Sequence, residues 1–532
     1  MKRSFKKIAF FSLACVLCGS LLMSCADSVE TDTTPETSED TNPSELSSYP
    51  SAELVDGAIY RISSVDQETF KKQSLTVQNF GTSDNEFVKL DMYGKNLSQM
   101  WRAHKNDDGT YSFENMANRF YLSIKNPSNY KKEKKLSVCK DGTNDEAKKW
   151  KIYSTDDSLE NCVMENVHSS LCVTPVAARD TVYAEQKTYA GEDYQRWSFK
   201  KVSDGNGEYP YVLALTGDYE GSASCPEIFY YDGVYYNYNM TGPITLKTST
   251  DLIHWTLHPD KYALKNGRPA WLEDITGDPS KPIWAPGVYQ MGGRYYLYYC
   301  TSSSGTRNSA IAVAVSDDPS KNEWTDLGLV IRSYHSDTYV DGVLHSATNF
   351  NAIDPNVIID DNGVPYLVYG SYWDGIFMRQ LDPNTGKFDE TNTNVYHLAK
   401  GQSDMEAPYV VKHGDYYYLF VARGGLKKGT YYWAVGRSEN VTGPYVDKDG
   451  KSMLSGNGGT RLTEWKEGIE GVGHAQCFFG PDGQTYMVSE SWSYRDDDKN
   501  SPVTLSISTI VWTEDGWPVT ALDKNVLKAL GE

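Results

Sequence analysis

Gly233-Val234-Tyr235-Tyr236 returns as Gly293-Arg294-Tyr295-Tyr296, Gly363-Val364-Pro365-Tyr366, Gly414-Asp415-Tyr416-Tyr417 and Gly483-Gln484-Thr485-Tyr486, at intervals of 60, 70, 51 and 69 residues. Each copy follows one apolar run and precedes another, so each reads as two strands joined by a tight turn. Five such hairpins at this period predict a five-bladed β-propeller over residues 208–532. Upstream of each turn the first strand of the unit opens on a marked group: Cys225-Pro226, Ala285-Pro286, Asp354-Pro355, Glu406-Ala407-Pro408 and Gly473-His474. First strands of propeller blades line the axial channel, so these five starts are expected to meet at one mouth. Two of them carry acids, Asp354 and Glu406. Paired carboxylates brought together in this way suit acid/base cleavage of a glycosidic bond.

Working outward towards the N-terminus, residues 51–202 hold a second repeat. Its anchors are Gln99-Met100-Trp101, Lys148-Lys149-Trp150 and Gln195-Arg196-Trp197, with tryptophans 49 and then 47 residues apart. Three short-strand units, each closed by a Trp, predict a β-trefoil in which each indole packs one lobe. The whole is therefore expected to be all-β, a five-bladed β-propeller preceded by a β-trefoil.

The first 24 residues have a basic start, an apolar run from Ile8 to Leu22 and a small residue before Cys25, as a secretory signal does. Leu22-Met23-Ser24-Cys25 resembles a bacterial lipoprotein cleavage box, which makes Cys25 the lipidated residue. Residues 25–50 are acidic and rich in Ser, Thr and Pro, and read as a solvated tether. The expected location is extracytoplasmic, on a bacterial membrane or cell surface, held only through the lipid. A net charge of −20 over 532 residues disfavours nucleic acid and polyanions and permits a neutral ligand. The 39 Tyr offer flat faces with a polar edge, which suit sugar rings, although Tyr also simply fills strand positions. Cys139, Cys162, Cys172, Cys225, Cys300 and Cys477 lack the paired spacing of a zinc site. For Cys162 and Cys172, a disulfide and two buried thiols both remain open.

The N-terminal repeat resembles the ricin-type β-trefoil lectins, whose signature is Gln-x-Trp. Members of that family place an Asp in the strand that opens each sugar pocket. The matching positions here read Thr76, Ser123 and Val173, so weak or absent binding of simple galactosides is expected.

From about residue 219 to 518 the chain resembles glycoside hydrolase family 43, and in its wording the endo-1,5-α-L-arabinanases. The matching blocks are Trp284-Ala285-Pro286, Asn351-Ala352-Ile353-Asp354-Pro355-Asn356, Gly370-Ser371-Tyr372-Trp373-Asp374-Gly375, Glu406-Ala407-Pro408, Gly473-His474 and Asp515-Gly516-Trp517-Pro518. The resemblance implies an inverting hydrolase of arabinan or a related neutral plant polysaccharide. It makes Glu406 the general acid and Asp354 the residue that tunes and orients it. Trp284, Asn351, Trp373 and His474 become substrate contacts. No cofactor is required. An ion in the channel, calcium or another, is left open, with His474 its contact through water. The family's general-base Asp falls at Cys225, where a thiol is a poor base. Glu227, two residues on, is the nearest substitute carboxylate by the alternation of a strand. The expectation is a slow enzyme that Cys225→Asp accelerates, or one that Glu227→Gln abolishes. Two other readings are a catalytically inactive glycan-binding protein on a hydrolase fold and a structural interaction module.

Overall fold

A computed structural model describes residues 46–531, apart from 67, 71–72, 82–84, 132–133, 141–145, 218–222, 241, 403, 426–429, 465–468 and 493–502. The signal segment, Cys25 and the tether up to residue 45 lie outside the described residues. Among the described residues no helix is long and apolar enough to cross a membrane.

Twelve strands from Ile59–Ser64 to Trp197–Ser203 join in one antiparallel sheet that wraps three lobes. Trp101, Trp150 and Trp197 are fully buried in its core. Each indole N–H donates to an equivalent strand carbonyl: Leu75 at 3.1 Å, Leu122 at 3.1 Å and Val173 at 3.0 Å. That threefold pattern fixes the register of the lobes. It corrects one expected equivalence: the counterpart of Thr76 and Ser123 is Thr174, not Val173, whose carbonyl instead takes the Trp197 bond. The two glutamines act identically. Gln99 Nε2 donates to Thr76 Oγ1 at 3.1 Å and to the Met92 carbonyl, and Gln195 Nε2 donates to Thr174 Oγ1 at 3.0 Å and to the Thr188 carbonyl. In the middle lobe Lys148 replaces the amide and its ammonium donates to the Lys140 carbonyl at 2.6 Å. Cys162 and Cys172 are both free and buried, so the open alternative resolves to two thiols.

Five units of four antiparallel strands follow, over residues 227–262, 284–333, 356–399, 405–461 and 470–520, and the short strand Thr216–Gly217 adds in parallel to the edge of the first. The repeated turns join their first and second strands. Gly233, Gly293, Gly363, Gly414 and Gly483 all have φ between 56° and 81°, the left-handed region a Cβ disfavours. The Tyr three residues after each of them, Tyr236, Tyr296, Tyr366, Tyr417 and Tyr486, is buried in its blade. The repeat that reveals the propeller is thus a packing repeat.

Every blade enters its first strand through one non-glycine residue at positive φ: Cys225 (48°), Ala285 (42°), Asp354 (55°), Ala407 (50°) and His474 (44°). A left-handed residue, before proline in four of the five, is disfavoured locally by about 1–3 kcal/mol and persists only where packing dictates it. These five residues form a ring around the axis and line its narrow throat. Glu406 precedes its ring residue by one, which sets it above the ring and on the face of the mouth.

Each blade is continuous in sequence, so the first and fifth close on each other through side chains. The Gln476 amide accepts from the Ile228 N–H at 2.8 Å and donates to its carbonyl at 2.7 Å. Ile228, Tyr235 and Trp255 pack against Tyr486, Val488 and Ile507. The trefoil is seated on the propeller by a shared apolar cluster that joins Leu97, Met100 and Met116 to Val212, Trp433 and Trp517. Arg119 donates to the Tyr209 carbonyl at 2.9 Å across the same seam.

Candidate active site

Above the ring the blades open into a cleft of about 830 Å³. Cys225, Asp354, Glu406, Trp284, Asn351, Trp373 and His474 all border it. The strand starts of five blades, up to 249 residues apart in the chain, are thereby brought to one mouth.

Glu406 sits where the strand Met405–His413 bulges around Ala407. Its Oε1 accepts from the Tyr431 hydroxyl at 2.5 Å and its Oε2 from Ser371 Oγ at 2.9 Å. Burial pushes its carboxyl above the usual range, and the hydroxyls of Tyr431, Ser371 and Tyr372 oppose that shift. A carboxyl held protonated towards neutral pH, half-buried at a cleft wall, is equipped to donate a proton. Asp354 is 6% exposed and its Oδ2 accepts from the Ala407 N–H at 3.0 Å. It thus ties the third blade's ring position to the fourth's and fixes the backbone that carries Glu406. Burial, with the neighbouring Glu406 and Glu490 charges, holds Asp354 well above the ordinary Asp range.

Cys225 Sγ stands 3.5 Å from His474 Nδ1. Burial, then the charges of Glu490 and Asp354, push the thiol well up, while burial takes the His474 imidazole down to about 4. Both are therefore neutral at pH 7. The thiol is not an activated nucleophile, since that needs a thiolate in electropositive surroundings.

Glu227 lies one layer lower, in the throat, where it is 7% exposed and bordered by Tyr409 and Gln476. It is not among the residues that border the cleft. Its carboxyl is pushed far up by burial, against the hydroxyls of Tyr289 and Tyr409. Cys225 and Glu227 both line the throat, but only Cys225 also borders the cleft above it. Gly287 packs against this group: a Cβ there would meet Tyr289 OH at 2.8 Å and Glu227 Oε2 at 2.9 Å.

Trp373 is 38% exposed at the rim, with the Arg307 guanidinium 4.6 Å from its ring centroid and the His335 ring at 5.6 Å. Asn351 is held by Ser309, whose Oγ donates to its Oδ1 at 2.7 Å. The buried indole N–H of Trp284 has no partner within the described protein and stands in the cleft wall. An exposed aromatic face and a buried unpaired donor on neighbouring blades are the contacts a sugar ring uses.

A third acid at this mouth carries no mark in the sequence. Glu490, on the second strand of the last blade, Thr485–Trp492, is 2% exposed and borders the cleft. Its Oε2 accepts from Ser224 Oγ and from the Cys225 N–H, both at 2.9 Å. The chain positions are 266 and 265 residues apart. No motif in the sequence connects them, and only the closing of the ring does. A lone acid inside an apolar strand, in Met487-Val488-Ser489-Glu490, was the available signal.

Among the described residues no three His, Cys, Asp or Glu side chains group as metal ligands. His474 faces a thiol, and Glu227 is enclosed by phenols. This donor set does not fit an ion held directly by protein ligands.

The glycosyl hydrolases family 43 profile matches residues 219–518, and the ricin-type beta-trefoil lectin domain-like profile matches residues 97–175. An extracellular exo-α-(1→5)-L-arabinofuranosidase of Cellvibrio japonicus is 33% identical over 298 residues, 52% of this chain and 80% of that protein. An extracellular endo-α-(1→5)-L-arabinanase of Bacillus subtilis is 34% identical over 273 residues, 51% of this chain and 77% of that one. Among solved structures, the Cellvibrio cellulosa α-L-arabinanase complexed with arabinohexaose superposes with a TM-score of 0.51 at 31% identity, over 58% of this chain and 98% of that one. With a five-bladed propeller, a mouth holding Asp354 and Glu406, and a profile match that spans more than half of its length, this chain belongs to glycosyl hydrolases family 43.

Proposed function

We propose that this protein hydrolyses α-1,5-linked L-arabinan or a closely related neutral plant polysaccharide with inversion at the anomeric carbon. The observation that carries the reading is Glu406: a carboxyl raised by burial, aimed into an open cleft by Tyr431 and Ser371, and backed by Asp354 through the Ala407 N–H. In this mechanism Glu406 protonates the leaving oxygen. Asp354 positions Glu406 through the Ala407 N–H, and burial at the cleft wall keeps the Glu406 proton in place to higher pH. Trp373, Asn351 and the Trp284 N–H hold the sugars. The cleft is large enough for several sugar units, and its relatives include both an exo-acting and an endo-acting enzyme on the same linkage. Lipid attachment at Cys25 would display the enzyme outside the cytoplasm, where polymeric substrate is met. It predicts that Cys25→Ala moves the protein out of the membrane fraction.

The specific observation that favours a second reading, a glycan-binding protein without turnover, is the neutral thiol of Cys225 at the ring position where an acid is expected. Release of reducing sugar from linear arabinan decides between them. Wild type should hydrolyse it and Glu406→Gln should be slower by about 10²–10⁴-fold. Binding of arabinan by both proteins without hydrolysis by either would overturn the hydrolase reading.

A further inference from the structure

The inverting mechanism above lacks a base, and the mouth contains a carboxylate with no assigned role. From the placement of Glu490 against Ser224 and the Cys225 N–H, at the border of the cleft that also holds Glu406 and Asp354, we infer that Glu490 is the general base that activates the attacking water. This rests on the hydrolase reading and deepens it.

The geometry supports the assignment in three ways. Glu490 Oε2 accepts the N–H of Cys225 itself, so its carboxylate occupies the space next to the ring position from which a thiol cannot act. Both of its hydrogen bonds fall on Oε2, and Oε1 has no hydrogen-bond partner among the described residues. A carboxylate anchored by one oxygen and free at the other is arranged to hold a water. Glu490 also belongs to the electrostatic cluster of the reacting acids, because its charge raises Asp354 and the charge of Glu406 raises it. Burial, the larger cause, takes Glu490 to about 7, close to the pH at which a base accepts a proton most usefully. The two alternatives fit less well. Glu227 borders the throat below the ring, and Cys225 is a neutral thiol.

In the step, a water oxygen bonds to the anomeric carbon and gives one proton to Glu490. The bond from that carbon to the leaving oxygen breaks, and the leaving oxygen takes the proton of Glu406. One water is consumed and the new hemiacetal has the opposite anomeric configuration.

Glu490 also joins the first blade to the fifth, so a loss of rate alone would not separate chemistry from closure. The test is Glu490→Ala and Glu490→Gln in the full chain, with arabinohexaose as substrate and sodium azide as the external nucleophile. Both variants should lose about 10²–10⁴-fold in kcat. Azide should restore turnover of Glu490→Ala, because it attacks without needing a base, and the released fragment, single sugar or oligosaccharide, should carry a β-L-arabinofuranosyl azide at its anomeric end. Glu406→Gln should give no azide product from this substrate. Should Glu490→Ala fail to fold, Glu490→Gln decides through its pH profile: kcat/KM of the wild type should fall below about pH 7, and that limb should vanish in the variant. Cys225→Asp should not accelerate the wild type, since it adds a like charge beside Glu490. Azide-insensitive loss, a limb that persists in Glu490→Gln, or wild-type rates in either variant would overturn the assignment while leaving the hydrolase reading intact. A wild type that hydrolyses no arabinan oligosaccharide would overturn both.

Discussion

The trefoil and the propeller each repeat one position around an axis, and the two repeats have opposite chemistry. In the trefoil, Gln99, Gln195, Thr76 and Thr174 are buried polar groups, and each finds its partner inside the lobe. At the propeller mouth, Asp354 and Glu490 are buried, Glu406 is half-buried, all three repel one another, and all are displaced from their ordinary titration range. A buried polar group whose partners are all internal rigidifies a fold. Buried acids set against each other are instead maintained at a cost in stability, which marks them as serving chemistry. The same contrast separates the repeats within the propeller: the five buried Tyr after the turns serve packing, and the five left-handed residues at the strand starts serve the mouth.

The largest effect that would break this comparison is on the structural side. Trp150 is fully buried at the base of the middle lobe, and Trp150→Ala should cost about 3–5 kcal/mol of trefoil stability through lost burial and a cavity. The hydrolytic rate per folded molecule should stay as it was, since no trefoil residue borders the cleft. Denaturant midpoints followed by tryptophan fluorescence, alongside arabinan hydrolysis, would check both halves. A rate that falls in step with trefoil stability would mean that the lobes support the mouth.

How much of this could be read from the sequence follows from the same contrast. The blades were legible because Gly233 and its four counterparts must adopt positive φ at a fixed distance from a core Tyr, a local requirement that leaves a local signature. Asp354 and Glu406 were legible because each stands one or two residues before a proline at a strand start. Glu490 was not, because its importance arises between the first and last blades, and nothing in Ser489-Glu490-Ser491 announces a partner 266 residues away. The alternation that makes Glu227 a candidate sets it in the throat with Cys225, but no local pattern shows that it stops short of the cleft above. Val173 gives way to Thr174 as the counterpart because the separations differ between lobes, 25 residues from Thr76 to Trp101, 27 from Ser123 to Trp150 and 23 from Thr174 to Trp197, so no fixed count finds it and the Trp197 hydrogen bond does.

A smaller effect sharpens the propeller side of the comparison. Glu490 rises from 4.5 to about 7 in the folded protein, chiefly by burial. The folded state therefore binds this proton more tightly than the unfolded chain does. The stabilisation is fully present below about pH 4.5 and is lost as pH rises through about 7. At about 1.4 kcal/mol per pH unit, the loss is of order 3 kcal/mol. Glu490→Gln carries no such proton, so relative to wild type it should gain about that much between pH 5 and pH 8. Denaturation midpoints of the two proteins at both pH values would measure it. Parallel pH dependence in the two would mean that Glu490 is ionised and comfortably paired in the folded state, and the contrast between the two repeats would weaken.

The smallest effect tests the trefoil's polar repeat. Thr174 is 1% exposed, donates to the Cys172 carbonyl at 3.0 Å and accepts from Gln195 Nε2 at 3.0 Å. Thr174→Val keeps the shape and removes both bonds. Gln195 Nε2 retains its bond to the Thr188 carbonyl at 2.9 Å, so the amide is not stranded. The cost should be about 1 kcal/mol, the net worth of an ordinary hydrogen bond, with at most a further 1–2 kcal/mol for the hydroxyl's lost partners. Because Thr76, Ser123 and Thr174 are all buried and internally bonded, the wild-type chain should show no heat of binding with galactose or lactose in calorimetry, and the variant should show none either. A sub-millimolar galactoside affinity in wild type that disappears in Thr174→Val would place this hydroxyl in a sugar pocket and would make the trefoil, like the propeller mouth, a functional repeat.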